Sequence, residues 1–294
     1  YNKDSGGKYA EYYTPHAVAK IMAAILVPEA VRGKVNNVSC YDPSAGSGTL
    51  LMNIAHAIGE QRCSIYSQDI SQKSSSLLRL NLILNNLVHS IPNIIQGNTM
   101  LHPYHRDGKA LKKFDYIVSN PPFKMDFSDF RNELDTKEHQ VRFFAGVPNI
   151  PKQAKDKMAI YQLFLQHIIY SLKPGGKACV QTIVIDDSLF DRYVKSTDFI
   201  QQYIFPGGCL PCPREFRAQA ARAGLQVVDE MAFGLDYAET LRRWRHQFLA
   251  AKAHVLQLGF DERFMRIWEF YLAYCEAAFE QHNIDVVQYT LVKP

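Results

Sequence analysis

No apolar run in this sequence approaches the roughly 18–20 residues that cross a bilayer, which excludes a spanning helix and predicts a soluble chain. Cysteine is sparse. Its six positions, Cys40, Cys63, Cys179, Cys209, Cys212 and Cys275, are too few and scattered to frame a disulfide-stapled fold, so a reducing cytoplasm is the expected setting. Glycine and proline, at 16 and 14 residues, fall far below what collagen-like or low-complexity chains carry. The ten histidines make no H-E-x-x-H or other metal pattern, and no metal is expected. No signal peptide is visible. The chain opens at Tyr1 rather than Met, which predicts a fragment of something longer.

What is present is ample core: 294 residues, 47% of them hydrophobic. The net charge of +4 hides an asymmetry, +6 over residues 1–176 and −2 over 177–294. The first stretch holds 14 Lys against 6 Arg, with 12 Asn; the second holds 4 Lys against 9 Arg, with one Asn. Two coding origins of different base composition would leave such a switch, and chance with different local structure gives the same count. The basic front suits a polyanion such as nucleic acid, although a solvated surface gives the same count.

Short apolar runs alternate with amphipathic stretches, the pattern of a parallel sheet wrapped by helices. Strands are expected at 38–42, 63–69, 91–96, 114–119, 177–185, 225–233 and 285–292. Helices are expected at 15–26, 49–58, 71–85, 159–172, 213–223, 237–256 and 260–281. Thr14 and Pro15 suit a helix start. Together these give a doubly wound α/β fold, a seven-stranded, mostly parallel sheet with helices on both faces. Its ligand crevice lies beyond the carboxyl ends of the strands.

Three of those strand ends are polar. Asp-Pro-Ser-Ala-Gly-Ser-Gly-Thr (42–49) follows the first strand and opens a helix. Its glycines let the backbone turn tightly and approach a ligand, and the helix start offers N–H groups to a carboxylate. It matches neither G-x-G-x-x-G nor a Walker loop, and a plain strand-to-helix turn reads alike. Asp69 ends the second strand, where a carboxylate accepts both hydroxyls of a ribose. Gly97-Asn98 ends the third, where a short polar side chain reads an adenine edge. Three such ends at one rim suggest a nucleoside pocket.

Asn-Pro-Pro-Phe (120–123) is the most specific signal. The fourth strand delivers Asn120 to the rim, and Pro121 and Pro122 fix the backbone and remove competing N–H donors. The Asn120 side-chain oxygen and the Pro121 carbonyl are left to accept hydrogen bonds from one exocyclic amine, which sharpens its lone pair as a nucleophile. Phe123 can stack on the base, which must leave a duplex to reach it. The alternative is a proline-stiffened turn.

With Tyr-Ala-Glu-Tyr-Tyr-Thr-Pro (9–15), these motifs resemble the adenine-N6 DNA methyltransferases, above all the modification (M) subunit of type I restriction–modification systems. Arg-Phe-Phe-Ala-Gly-Val-Pro (142–148) and Lys-Met-Ala-Ile-Tyr (157–161) resemble the same subunit, and the likeness covers about residues 6–176. It implies a class I, Rossmann-like fold that depends on S-adenosylmethionine. The implied cofactor residues are Tyr13, Thr14, Asp42, Pro43, Ser44, Ala45, Gly46, Ser47, Gly48, Asp69 and Asn98, and the implied adenine pocket is Asn120, Pro121, Pro122 and Phe123. Implied partners are double-stranded DNA, a separate specificity subunit and a restriction subunit. Many relatives carry Asp where Asn98 stands, and the helical N-terminal region usual in these subunits is missing.

After Gly176 the likeness changes. Gln-Thr-Ile (181–183), Ser-Thr-Asp-Phe-Ile (196–200) and Tyr-Ile-Phe-Pro-Gly-Gly-Cys-Leu-Pro (203–211) resemble cyclopropane-fatty-acyl-phospholipid synthases. So do Phe-Gly-Leu-Asp-Tyr (233–237), Thr-Leu-Arg-Arg-Trp (240–244) and Phe-Tyr-Leu (270–272). In that family, also S-adenosylmethionine-dependent, this region supplies late strands and the helices over the acyl pocket, and a tyrosine matching Tyr271 lies near the reaction centre. The front-half Phe-Glu-His stretch linked to its bicarbonate-assisted chemistry is absent. Motifs and composition thus change together at the Leu-Lys-Pro-Gly-Gly turn (172–176), which predicts a chimera: 1–176 as cofactor-binding front half, 177–294 as completing strands and helices.

Weaker signals have plain readings. Cys209-Leu-Pro-Cys212 lacks a second pair, Arg242-Arg243-x-Arg245 is a solvated helix face, and Phe264, Ile267, Trp268, Tyr271, Leu272 and Cys275 recur at core-packing spacing. The expected function is adenine-N6 DNA methylation of the type I kind. The alternatives are a lipid methyltransferase acting on phospholipid, and a hybrid that binds the cofactor without completing a substrate site.

Overall fold

The computed structural model describes residues 14, 16–122, 125–152, 155, 158, 160–205 and 208–294. The chain divides into two compact units, residues 1–178 with 293, and residues 179–292 with 294.

The first unit runs α1 (His16–Leu26), β1 (Val38–Asp42), α2 (Thr49–Ile58), β2 (Cys63–Asp69), α3 (Gln72–Leu84) and β3 (Ile94–Gln96). A hairpin, β4 (Arg106–Asp107) and β5 (Ala110–Leu111), precedes β6 (Tyr116–Ile117); α4 (Arg131–Leu134), α5 (Lys137–Gln140) and α6 (Tyr161–Ser171) follow. The main sheet is ordered β3-β2-β1-β6 and its pairs are parallel, so all four carboxyl ends share one rim.

Strand residues alternate between faces. Cys40 and Ile65 enter a core built with Ala23 of α1, Leu51 and Ile54 of α2, and Leu78 and Leu82 of α3. Tyr41, one residue on, stacks on Phe114 with ring centroids 4.2 Å apart, in a second cluster with Ile117, Leu172 and Ile168 of α6. The two clusters cover the two faces of one sheet. Gly48 permits the close approach of α3: its φ is 83°, and a Cβ there would lie 2.2 Å from Leu78 Cδ1.

The turn at 172–176 is tightly bonded. Lys173 N donates to Phe114 O (3.0 Å), and Lys173 Nζ donates to both carboxylate oxygens of Asp115 (2.9 Å each). Gly175 N donates to Lys293 O (2.7 Å), Lys293 N to Gly176 O (3.0 Å) and Lys293 Nζ to Ile169 O (2.9 Å).

The strand β7 (Lys177–Ile185) leads into the second unit, followed by α7 (Asp187–Tyr193), a π-helical turn (Ile200–Ile204), α8 (Pro213–Arg222) and β8 (Gln226–Ala232). Then come α9 (Gly234–Ala250), α10 (Lys252–Gln257), α11 (Glu262–Glu280) and β9 (Ile284–Val292). The sheet is ordered β7-β9-β8, with β8 and β9 antiparallel and a register shift between Val227 and Asp229. Ala238 and Leu241 of α9 pack with Leu272 and Phe279 of α11 and Val286 of β9.

Several expectations change. Among the described residues the seven expected strands fall in ladders of four and of three, beside the two-stranded β4–β5 hairpin. The helix expected at 237–256 breaks at Ala251 into α9 and α10. The arginine face is paired rather than merely solvated: Arg242 meets Glu239, Glu276 and Glu280, and Arg245 meets Glu276 at 2.9 Å. Tyr271 sits half-buried in the α11 packing, where burial raises its phenol pKa to about 12. Among the described residues no helix is long and apolar enough to cross a membrane.

Candidate active site

The loop after β1 is laced to the ends of its neighbours. Ser44 N donates to Asp42 Oδ1 (2.9 Å), closing the first turn of the loop. Gly46 N donates to Asp69 Oδ2 (2.9 Å) while Ser71 N donates to Asp69 Oδ1 (2.8 Å), so one carboxylate joins the loop crest to the end of β2. Thr99 Oγ1 donates to Pro43 O (2.8 Å), joining the loop to the turn after β3. Ser44 Oγ and Ser119 Oγ share a 2.8 Å hydrogen bond, joining it to the segment after β6. Four strand ends converge on one loop.

Asn120 stands exposed beside this junction. Its Nδ2 donates to Thr14 Oγ1 (3.2 Å), which sets the amide plane and presents Oδ1 as an acceptor. Asn98 Oδ1 accepts from Met100 N (3.0 Å) and Leu101 N (3.2 Å), so its side chain shapes its own turn. At Gly46, φ is 54° and a Cβ would meet no heavy atom within 4 Å: the crest faces open space. The start of α2 has Gly48 as its N-cap and no side-chain cap, so its first-turn amides suit an anion.

Asp42 is 1% exposed. Burial pushes its carboxyl pKa up to about 7; the Ser44 N–H and the Ser119 hydroxyl oppose the rise, and the Asp69 charge adds to it. A buried acid at the root of the loop therefore holds its proton to higher pH than an exposed carboxyl does.

The structure thus brings Thr14, the 42–48 loop, Asp69, Asn98 and Asn120 to one rim. Within the loop the parts differ: Asp42 and Ala45 are buried and Pro43 accepts the Thr99 bond, whereas Gly46 faces outward. Ser47 O accepts from Asn81 Nδ2 (2.9 Å), fixing the loop to α3. Pro121 and Pro122 are half-buried, and Tyr13 and Phe123 lie outside the described residues. Sequence reasoning assigned no role to Ser119 or Thr99, nor to Arg142 within the 142–148 motif. Ser119 and Thr99 each adjoin a named residue, at strand ends where small hydroxyls cross-link loops. Arg142 donates to Thr99 O (3.1 Å) and Met100 O, bracing the turn that carries Asn98; nothing in the local pattern marks that reach of more than 40 residues.

Comparison with known proteins returns both likenesses read from the motifs. The N-6 DNA methylase family profile matches residues 1–206. The methylase subunit of the type I restriction enzyme MpnII from Mycoplasma pneumoniae is 27% identical over 189 residues, 61% of this chain and 32% of that one. The cyclopropane-fatty-acyl-phospholipid synthase of Escherichia coli K12 is 34% identical over 133 residues, 44% of this chain and 32% of that one. The solved cyclopropane synthase MmaA2 from Mycobacterium tuberculosis aligns with a TM-score of 0.50 at 17% identity, covering 94% of this chain and 83% of that one, a likeness of fold alone. This chain spans about a third of the length of the curated relatives it matches.

Proposed function

Since the chain belongs to the N-6 DNA methylase family, we propose that its rim methylates the N6 amine of adenine in DNA. The protein is a methyltransferase of the class I α/β fold with S-adenosylmethionine as its donor. The open crest at Gly46, the uncapped start of α2 and the Asp69 carboxylate beside them fit that cofactor. Bound there, it would supply an electrophilic methyl on a sulfonium. The α2 amides would hold its carboxylate, Asp69 its ribose and the Asn98 turn its adenine edge.

Asn120 carries the substrate reading. With Nδ2 committed to Thr14, Oδ1 accepts one N6 hydrogen and the Pro121 carbonyl accepts the other, which turns the nitrogen lone pair away from both. The target base leaves the duplex to reach them. After transfer the N6 proton passes to water. Holding donor and amine in line supplies most of the acceleration, without a covalent enzyme intermediate. DNA, a specificity subunit and a restriction subunit are the proposed partners, so the chain alone methylates slowly.

A second reading rests on the likeness to the E. coli lipid enzyme: methyl transfer to a phospholipid acyl chain. Labelled-methyl transfer to adenine-containing DNA and to phospholipid vesicles, run side by side, separates the two. We expect label on DNA, a drop of at least ~100-fold in Asn120→Ala, and S-adenosylmethionine affinity within about twofold of the parent. Label on vesicles alone, or undiminished DNA methylation by Asn120→Ala, overturns the proposal. Cofactor binding with neither product makes the chain a hybrid with no completed substrate site.

A further inference from the structure

A cavity of about 740 Å³ opens in the first unit, walled by the β4–β5 hairpin and its approach, residues of the α4–α5 stretch, and Tyr170. None of Asp42, Gly46, Asp69 or Asn120 lines it. Its size falls within the roughly 300–1,000 Å³ of small-molecule sites.

Its chemistry is distinctive. Arg142 is 3% exposed, yet among the described residues its guanidinium bonds only main-chain carbonyls, Thr99 O and Met100 O, and lies 4.2 Å from the Phe143 ring centroid. Among the described residues no carboxylate lies within ion-pair distance of it, and Glu138, on the same wall, acts on it from further off. A buried guanidinium with no carboxylate in direct contact is costly, and an anion in the cavity would reduce that cost. Burial draws the Arg142 pKa down to about 10; Tyr41, Tyr170 and Glu138 oppose the fall and the positive charge of Arg106 adds to it. Arg106 is itself held in the hairpin, Nη1 donating to Lys109 O (3.1 Å), and Lys109 also lines the cavity. Three cations therefore surround one space. Tyr104, 64% exposed, stands on the same wall with its ring edge-on to His105.

Glu133 and Glu138 line the cavity too. They disfavour a bare polyanion and accept hydrogen bonds from an amine, as Glu does from the N4 amine of cytosine. A ligand that satisfies both sets carries a phosphate, a flat ring and an exocyclic amino group. We propose that this cavity is a second nucleotide site, with Arg106, Lys109 and Arg142 on the phosphate, Tyr104 against the base and Glu138 on its amine. It goes beyond the methyl-transfer reading and does not depend on it.

Calorimetric titration of the whole chain with deoxycytidine 5′-monophosphate, deoxycytidine and inorganic phosphate tests this. The nucleotide should saturate and bind at least tenfold more tightly than either fragment. An Arg106→Glu/Lys109→Glu variant, altered only at exposed side chains and checked by an unchanged melting temperature, should bind it at least tenfold more weakly. Asn120→Ala should bind it as the parent does. Lack of saturable binding, phosphate binding as tightly as the nucleotide, or indifference to the Arg106/Lys109 change overturns the proposal. Loss of binding in Asn120→Ala also overturns it, placing the nucleotide at the rim. Failure of DNA methylation alone touches the rim reading and leaves this one standing.

Discussion

The two units bury different things. In the first, the buried polar side chains include Ser39, Asp42, Gln68, Thr99, Arg142 and His167; in the second, Glu276 alone is buried among the described residues. Most of the first set reach across the chain: Ser39 to Asp115, Thr99 to Pro43, Gln68 to His102 and Tyr104, Arg142 to the turn after Asn98. Each such bond must repay desolvation, and all converge on strand ends or the loops beside them. The second unit packs α9 and α11 with β9, and Arg214, Arg217, Arg242, Arg243 and Arg245 form ion pairs. One unit positions groups; the other fills volume.

The comparison predicts where substitutions hurt. The largest effect belongs to Asp42. Its folded-state pKa of about 7 lies above the ordinary 3.8, so between those values the folded chain holds a proton that the unfolded chain has released. The stability contributed by that proton is full below about pH 4 and is lost as pH rises through 7. Asp42→Asn keeps the acceptor for Ser44 N and removes the titration. Its stability relative to the parent should therefore rise by on the order of 4 kcal/mol between pH 4 and pH 8, measured by urea unfolding at each pH. A constant difference across that range would show that Asp42 is not buried as described.

Next comes Gly48→Ala, which sets a Cβ against Leu78 and forces an alanine to φ 83°. About 3 kcal/mol of stability should go, with S-adenosylmethionine affinity falling alongside, by urea unfolding and calorimetry. Glu276→Ala tests the other unit. Its carboxylate is buried, but Arg242 and Arg245 are 39% and 25% exposed, so the loss should be about 2 kcal/mol, below the full penalty of a buried pair. Cofactor affinity should stay within about twofold of the parent; a larger fall would break the division of labour between the units.

Much of the fold was legible because apolar periodicity reports one-sided burial directly. The bounds expected for β1, α2, β2 and β7 match those observed. β6 was expected at 114–119 and is assigned only Tyr116–Ile117, although Asp115 N to Ser39 O (3.2 Å) and Val118 N to Tyr41 O (3.0 Å) carry the pairing further. The β4–β5 hairpin went unseen: its strands are two residues each and nearly all exposed, too short for any alternation to mark them. At the site, the glycine loop and Asn120 could be read because short-range chemistry constrains them. The bonds of Thr99 to Pro43 and of Ser119 to Ser44 could not, since residues 56 and 75 apart meet only once the sheet is built.

The pairing of Lys293 with Gly175 and Gly176 has a consequence for how such a protein could arise. The first unit clasps at one turn both the strand that departs from it and the tail that comes back. Whatever lies between departure and return enters and leaves through the same doorway, so a foreign segment needs only a matching pair of ends to be accommodated. An exchange of halves at this point asks for compatible hinges, not for a redesigned interior.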